Sequence, residues 1–316
     1  MREDDAAECR RILEAGSKSF WAAGLLLPAR VRDPVAACYA FCRVADDAID
    51  GAPGRELEAL AGLSGRLDAI YAGRPEDRGV DRAFCDVARV VPRAVPEALL
   101  EGFLWDAEGR RYEDLGDLLG YAARVASSVG VMMTALLGRA DPVTLARACD
   151  LGLAMQLTNI ARDVGEDARM GRVYLPLSWL REEGVEEQVA KGVFTPGVGR
   201  VVERLLAEAD RLYARADLGI PRLPPDGRRA IRAARLLYSD IGRVIRQAGC
   251  DSVSRRAHTG GLRKAWLLGR ALIGGERGAG LHAGGEAGGG VPGGGPAPEV
   301  KFLIDAFAGD GGGLGR

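Results

Sequence analysis

The 316-residue chain is poor in the side chains that most often bind metals or act as nucleophiles: it has two histidines, His258 and His282, and six cysteines. Cys9, Cys38, Cys42, Cys85, Cys149 and Cys250 form no C-x-x-C pair and no disulfide-scaffold spacing. Most stand among Ala, Val and Leu, where a thiol serves as a small apolar filler. Zinc chemistry is disfavoured, and a Ser-His-Asp hydrolase would have to rely on His258 or on a histidine within a glycine tract. Charge of one sign is missing too, with 43 basic against 44 acidic residues. No global field attracts nucleic acid, so no nucleic-acid partner is expected and any bound anion must be held by a local cluster. Long apolar runs are also lacking. Residues 129–137 and 265–273 reach about half of the roughly 20 residues a membrane span needs, and read as core helix. The opening Met-Arg-Glu-Asp-Asp has no apolar signal core behind it. The expectation is a cytoplasmic protein, with peripheral contact to the inner face of a membrane allowed.

What is present is helix. Hydrophobic residues make up 47% of the chain, enough for one large core. Ala-, Leu- and Arg-rich segments carry apolar residues at spacings of three and four, and alternating Val/Ile/Thr strand patterns are absent. Asp33-Pro34 and Asp141-Pro142 each read as an N-cap acid before a first-turn proline, and Pro96, Pro176 and Pro225 suggest further starts. The fold class is all-α. Residues 1–273 form the helical body. In the last 43 residues 17 are glycine, so 274–298 reads as a flexible linker. Residues 299–316 then form a short C-terminal segment, whose apolar island 299–307 can dock back on the body, and a disordered tail. Two nucleotide-binding look-alikes fail. The G-x-G-x-x-G at 288–293 follows no strand and contains Pro292, and Gly16-Ser-Lys-Ser19 lacks the glycine required before its lysine.

Two segments carry the chemistry. In Tyr39-Ala-Phe-Cys-Arg-Val-Ala-Asp-Asp-Ala-Ile-Asp50, a helix places Tyr39, Arg43, Asp46 and Asp50 within about 60° of one another, with Asp47 at the edge. In Gln156-Leu-Thr-Asn-Ile-Ala-Arg-Asp-Val-Gly-Glu-Asp167, the matching stripe is Gln156, Asn159, Asp163 and Asp167, with Glu166 beside it. Acids at such spacings are ordinarily solvated, and like charges there repel. A solvated helix would not surround them with Cys38, Phe41, Cys42, Val44 and Ile49. The alternative is a cavity in which both stripes share divalent cations. Mg²⁺ takes one or two carboxylates and completes its octahedron with water and substrate phosphates. Facing stripes suit a diphosphate leaving group, with Arg43, Arg162 and Arg172 adding charge-assisted hydrogen bonds and a dry, aromatic-faced pocket protecting an allylic cation.

With these motifs in this order, the sequence resembles the squalene/phytoene synthases. The likeness runs through Ser17-Lys-Ser-Phe20, the block 39–50, Gln156-Leu-Thr-Asn-Ile-Ala-Arg-Asp163, Asp167, Gly171-Arg-Val-Tyr-Leu-Pro176, Tyr238 and Val253-Ser-Arg-Arg256. Tyr-Leu-Pro after the second acidic block looks like the bacterial phytoene synthase branch. The resemblance implies a single-domain isoprenoid-synthase helical fold with a central cavity. It also implies isoprenoid diphosphate substrates, Mg²⁺ or Mn²⁺ as cofactor, no NADPH, and a monomer or weak homo-oligomer. It further implies head-to-head condensation of two geranylgeranyl diphosphates to phytoene through a cyclopropyl diphosphate.

By the same resemblance Asp46, Asp50, Asp163 and Asp167 bind metal. Tyr39, Arg43, Tyr174 and Tyr238 shape the reaction chamber, and Ser17, Ser19, Gln156, Asn159, Arg162, Arg172 and Arg255 hold substrate. Ordinary alternatives stay open: a core tyrosine at Tyr238, an N-cap at Ser19, a solvated charge at Arg255, structural roles for Arg110, Arg111, Tyr112 and Tyr121, and core places for Met132 and Met133. Ser127 stands in a segment where the family often has glycine, and the expectation is that it narrows or polarises the chamber. Two rivals stay open: a C15-specific squalene or dehydrosqualene synthase, which shares every motif, and a non-catalytic relative acting as a binding or assembly protein, which could lose its acids freely although all four are present here.

Overall fold

The computed structural model describes residues 1–273 and 294–309, which contain helices and no strand. The first part of the chain forms α1 (Glu3–Gly16), α2 (Lys18–Gly24), α3 (Ala29–Asp50), α4 (Glu56–Tyr71), α5 (Gly79–Ala88) and α6 (Ala94–Ala107). Next, α7 (Leu115–Ala122) passes through a π-helical turn, Ala123–Ser127, into α8 (Ser128–Leu136). Then come α9 (Pro142–Arg169), α10 (Leu177–Glu183), α11 (Glu186–Ala190), α12 (Pro196–Asp217), α13 (Pro225–Gln247), α14 (Gly261–Ile273) and α15 (Lys301–Gly309).

The fold is built around α9. Its 28 residues span about 42 Å, and Leu153, Ala154, Leu157 and Ala161 along it are fully buried. Helices α8, α12 and α13 and the π-turn pack around it. Asp141 caps it as expected, accepting from the Thr144 amide at 3.1 Å. At Gly152 the π-turn presses onto α9, and a Cβ there would stand 2.6 Å from Ser127 Cα. This contact also fixes Ser127, whose hydroxyl donates to the Cys149 carbonyl at 2.9 Å. Ser127 is buried between backbones rather than in the chamber, so it neither narrows nor polarises it.

Three other expectations change. Helix α3 begins at Ala29 behind Pro28, and Pro34 lies inside it. Asp33 is no cap; its carboxylate is held by Arg10 at 2.6 Å, and five preceding residues of α3 make their own turn. The continuous stretch Leu115–Leu136 does have the length and hydropathy of a membrane span, but it is a core element packed by α6 and α9. Residues 265–273 form no core helix, because α14 lies on the surface. The apolar island at the C-terminus docks as its composition suggests. Val300 and Leu303 are fully buried, and α15 rests on α6, α8 and α9. Upstream, Arg147 donates to the Gly294 carbonyl at 3.0 Å and Arg215 to that of Gly295 at 2.8 Å. The expected linker from 274 to 293 and the tail from 310 lie outside the described residues.

Helix α14 is fastened to α13 by one carboxylate. Asp240, 4% exposed, accepts from Arg243 at 2.7 Å, from Arg263 at 3.0 Å and from Thr259 at 3.2 Å. Burial pushes its carboxyl up, but the two guanidinium bonds outweigh that and hold it below the usual 3.8. A carboxyl depressed in the folded state stabilises above the unfolded value, and that stability is lost as pH falls through the folded one. Because both arginines are partly exposed, Asp240→Asn should cost about 1–2 kcal/mol at neutral pH. The gap to the wild type in a urea-unfolding series should close as the pH is taken below 3.8.

Candidate active site

A large cavity follows the inner face of α9. Its empty space, mouth included, is about 1450 Å³. Along α9 its wall is Thr144, Arg147, Ala148, Leu151, Gly152, Met155, Gln156 and Asn159, one stripe at spacings of three and four. From Asn159 to Thr144 that stripe runs about 22 Å. The opposing walls come from α2, α3, α8 and α13, and the space exists because many of their inward positions are Ala or Gly, among them Ala23, Gly24, Gly130, Ala230 and Ala234. Met133 lines it, whereas Met132 is core.

One end of the cavity is polar and aromatic. Tyr39, Phe20, Tyr238, Gln156 and Asn159 meet there, with the Phe20 ring centroid 5.3 Å from that of Tyr238 and 6.1 Å from that of Tyr39. Gly16 makes room for this, since a Cβ at 16 would stand 2.5 Å from the Tyr39 hydroxyl. Burial raises the Tyr39 phenol and pushes that of Tyr238 up to about 12, so both remain protonated at neutral pH. Tyr238 is thus a cavity tyrosine. Ser17 caps α2 by accepting from the Phe20 amide at 3.2 Å, so the cap belongs to Ser17 and not Ser19. The Ser19 side chain lies outside the described residues.

One to two turns beyond this end, α3 and α9 carry the acids. Both helices terminate there, so their C-terminal dipoles add to the negative field. Burial and the neighbouring Asp50 push Asp46 up to about 6, and burial and Asp163 push Asp167 up to about 7. Asp106 from α6 faces both stripes: it raises Asp46 and Asp167, and Asp50 in turn raises it. Nothing in the sequence singles out Asp106. Its carboxylate accepts from the Tyr174 hydroxyl at 2.7 Å and from that of Tyr121 at 2.8 Å, within a stack of Tyr112, Tyr121 and Tyr174. Tyr174 lies outside the main cavity, beside Asp167 and Arg172 in a smaller cleft.

Arginines hold the acids apart. Arg43 bonds Asp47 at 2.6 Å and reaches Asp46 at 3.5 Å. Arg172 donates to Asp50 at 3.1 Å, joining the two stripes; the left-handed Gly171 (φ 75) turns the chain out of α9 to bring it there. Asp163 is gripped twice, by Arg162 at 2.5 Å and by Arg256 at 2.8 Å. Burial alone would raise Asp163, but these guanidiniums hold it below 3.8. Arg256 also reaches Glu166 at 3.2 Å. Gly165 permits this, because a Cβ there would stand 2.2 Å from the Val253 carbonyl oxygen, and the loop 251–256 lies directly on α9. Arg256 is therefore the loop residue at the acids. Arg255, expected to hold substrate, is exposed and makes no ion pair with the described residues.

Among the described residues no three His, Cys, Asp or Glu side chains cluster tightly enough to form a ready-made metal cage. The donor set nonetheless has the chemistry of a hard divalent cation with few protein ligands. It offers Asp46, Asp50, Asp163 and Asp167, together with Asn159 Oδ1, which is buried without a hydrogen-bond partner. An amide oxygen left unpartnered beside carboxylates is one that a cation would satisfy.

Comparison with known proteins agrees with this geometry. The squalene/phytoene synthase family pattern matches residues 13–263. The phytoene synthase of Rhodobacter capsulatus is 50% identical over 98% of this chain and 91% of its own length. The 15-cis-phytoene synthase of a Paracoccus species is 43% identical over 82% of this chain and 87% of its own. Among solved structures, a dehydrosqualene synthase in complex with a ligand superposes with a TM-score of 0.78 at 33% identity, covering 85% of this chain and 96% of that one. The squalene synthase HpnC from Alicyclobacillus acidocaldarius superposes at 0.72 with 26% identity, covering 78% and 94%.

Proposed function

Since the chain belongs to the squalene/phytoene synthase family, we propose that it works as a phytoene synthase, joining two geranylgeranyl diphosphates head to head into the C40 triene without a reductant. The observation that carries the chain length is the reach of the cavity. An isoprene unit adds four chain bonds, each about 1.5 Å and advancing in a zigzag, so it extends about 5 Å. A C20 tail then needs about 20 Å, close to the 22 Å or so between Asn159 and Thr144 on α9.

Residue roles follow from position. The diphosphate head belongs at the acidic end, where Asp46, Asp50, Asp163, Asp167 and Asn159 would hold Mg²⁺ (or Mn²⁺). The cation would supply positive charge to the departing diphosphate and lower the cost of ionisation. Arg43, Arg162, Arg172 and Arg256 exchange carboxylate partners for phosphate oxygens, which accept the same forked donors. The Phe20, Tyr39 and Tyr238 faces stabilise positive charge on the allylic carbons, and the apolar wall excludes water that would quench it. Asp106 orients the Tyr121 and Tyr174 hydroxyls toward the same end.

The test is a product assay on purified protein with geranylgeranyl diphosphate and Mg²⁺, NADPH omitted, followed by extraction and mass analysis. A C40 triene is expected. A C30 product formed only from farnesyl diphosphate would replace the substrate and keep the chemistry. No product from either would favour a non-catalytic role.

A further inference from the structure

Helix α14 is apolar on the wrong side. Leu262, Trp266, Gly269 and Ile273, spaced four, three and four, fall within about 60° of one another. That stripe faces solvent: Leu262 is 92% exposed, Trp266 50% and Ile273 86%. The opposite face, Leu267 and Ala271, is the one buried on the body, where Ala271 meets Ala23, Ala233 and Ala234. A surface helix normally turns charge to water; this one presents a second apolar face. Its flank is cationic. Arg263, which also reaches Asp240, and Arg270 stack their guanidiniums 4.3 and 4.9 Å from the Trp266 ring, and the helix contains no acid.

We propose that this face docks the protein on an anionic lipid bilayer. The stripe would enter the acyl boundary, Trp266 would sit at headgroup level, and the flanking cations would meet lipid phosphates. Charge selects this occupant. A two-fold contact between copies of the chain through this stripe would bring Arg270 and Arg263 toward the same cations of the second copy. The adjoining residues 274–293 are half glycine, with Leu281 and Val291 as their large apolar side chains.

The location suits the reading of function on which the proposal rests. Ala234, beneath α14, also lines the cavity, so the bilayer would lie one helix from the hydrocarbon tunnel. A hydrocarbon product has its favourable destination in lipid.

The experiment uses the full chain and no substrate, so it can fail independently of the enzymatic assignment. Flotation would be measured with phosphatidylcholine vesicles and with vesicles containing roughly 30% phosphatidylglycerol. The anionic vesicles should bind about tenfold more tightly. The double variant L262S/I273S should lose that binding by about tenfold or more, since both side chains carry the insertion. Its far-UV circular dichroism and melting midpoint should not change, because both residues are exposed. Tryptophan emission should shift to the blue on vesicle binding in the wild type and not in W266F, which retains the other three tryptophans. Wild-type protein that ignores anionic vesicles, or a double variant that binds them equally well, would overturn the proposal. So would a wild-type dimer that L262S/I273S splits into monomers without vesicle binding, which would assign the face to a second copy.

Discussion

Asp163→Asn should lower the initial rate of C40 formation by about 10³-fold while leaving the protein folded. Asp163 sits where the acidic end of α9, with Arg162 beside it, meets Arg256 from the loop on Gly165. An asparagine of the same shape keeps one acceptor oxygen but removes the charge. It weakens cation binding and leaves Arg256 with Glu166 as its remaining partner. The loss should shrink at higher Mg²⁺ if metal affinity carries part of the effect, so rates are to be taken across a metal titration. The same substitution at Asp50, which Arg172 holds from just past the end of α9, should act in the same direction. Near-wild-type turnover in both variants would defeat the assignment of the acids to metal and diphosphate.

The second large effect concerns length. Ala148 lies on the cavity wall eleven residues before Asn159, about 16 Å down the tunnel. A C15 tail of about 15 Å ends near that point, whereas a C20 tail must pass it. Ala148→Phe would fill space that is empty rather than repack a core, so the melting temperature should move little. Forcing the last isoprene against the ring should reduce kcat/KM for geranylgeranyl diphosphate by about 100-fold. Farnesyl diphosphate should be used about as well as before or better. The comparison is made by measuring both substrates on both proteins and identifying the products by mass. Retention of C40 formation by Ala148→Phe would mean that the tail runs elsewhere.

The acids could be found in the sequence because helical spacing sorts them onto one face of each of two apolar helices. Nothing comparable marks Asp106, a lone carboxylate in α6 whose partners Tyr121 and Tyr174 are 15 and 68 residues away in the chain. Its role comes from tertiary packing. The choice between Arg255 and Arg256 was likewise unreadable, since neighbouring loop residues point differently according to how the loop lands. Here that landing depends on Gly165, on a different helix. Asp33-Pro34 misled because a proline six residues into α3 resembles one at the first turn. The apolar spacing of 265–273 showed a helix correctly but not which face is buried. By contrast, Val300, Leu303 and Ile304 announced their docking, because an apolar island in a glycine-rich region has few other ways to leave water.

The arginines that grip the acids have a consequence for how such a site is maintained. Four guanidiniums spread over α3, α9 and two loops neutralise carboxylates that would otherwise repel one another across the gap. The chain can therefore fold before it loads, with Asp46, Asp50 and Asp163 provisionally matched by its own side chains and Asp167 pushed toward its neutral form. For the paired carboxylates, loading then becomes an exchange of partners. Ancestral drift at Arg43 or Arg256 would be resisted twice, first during maturation of the empty protein and again at each turnover.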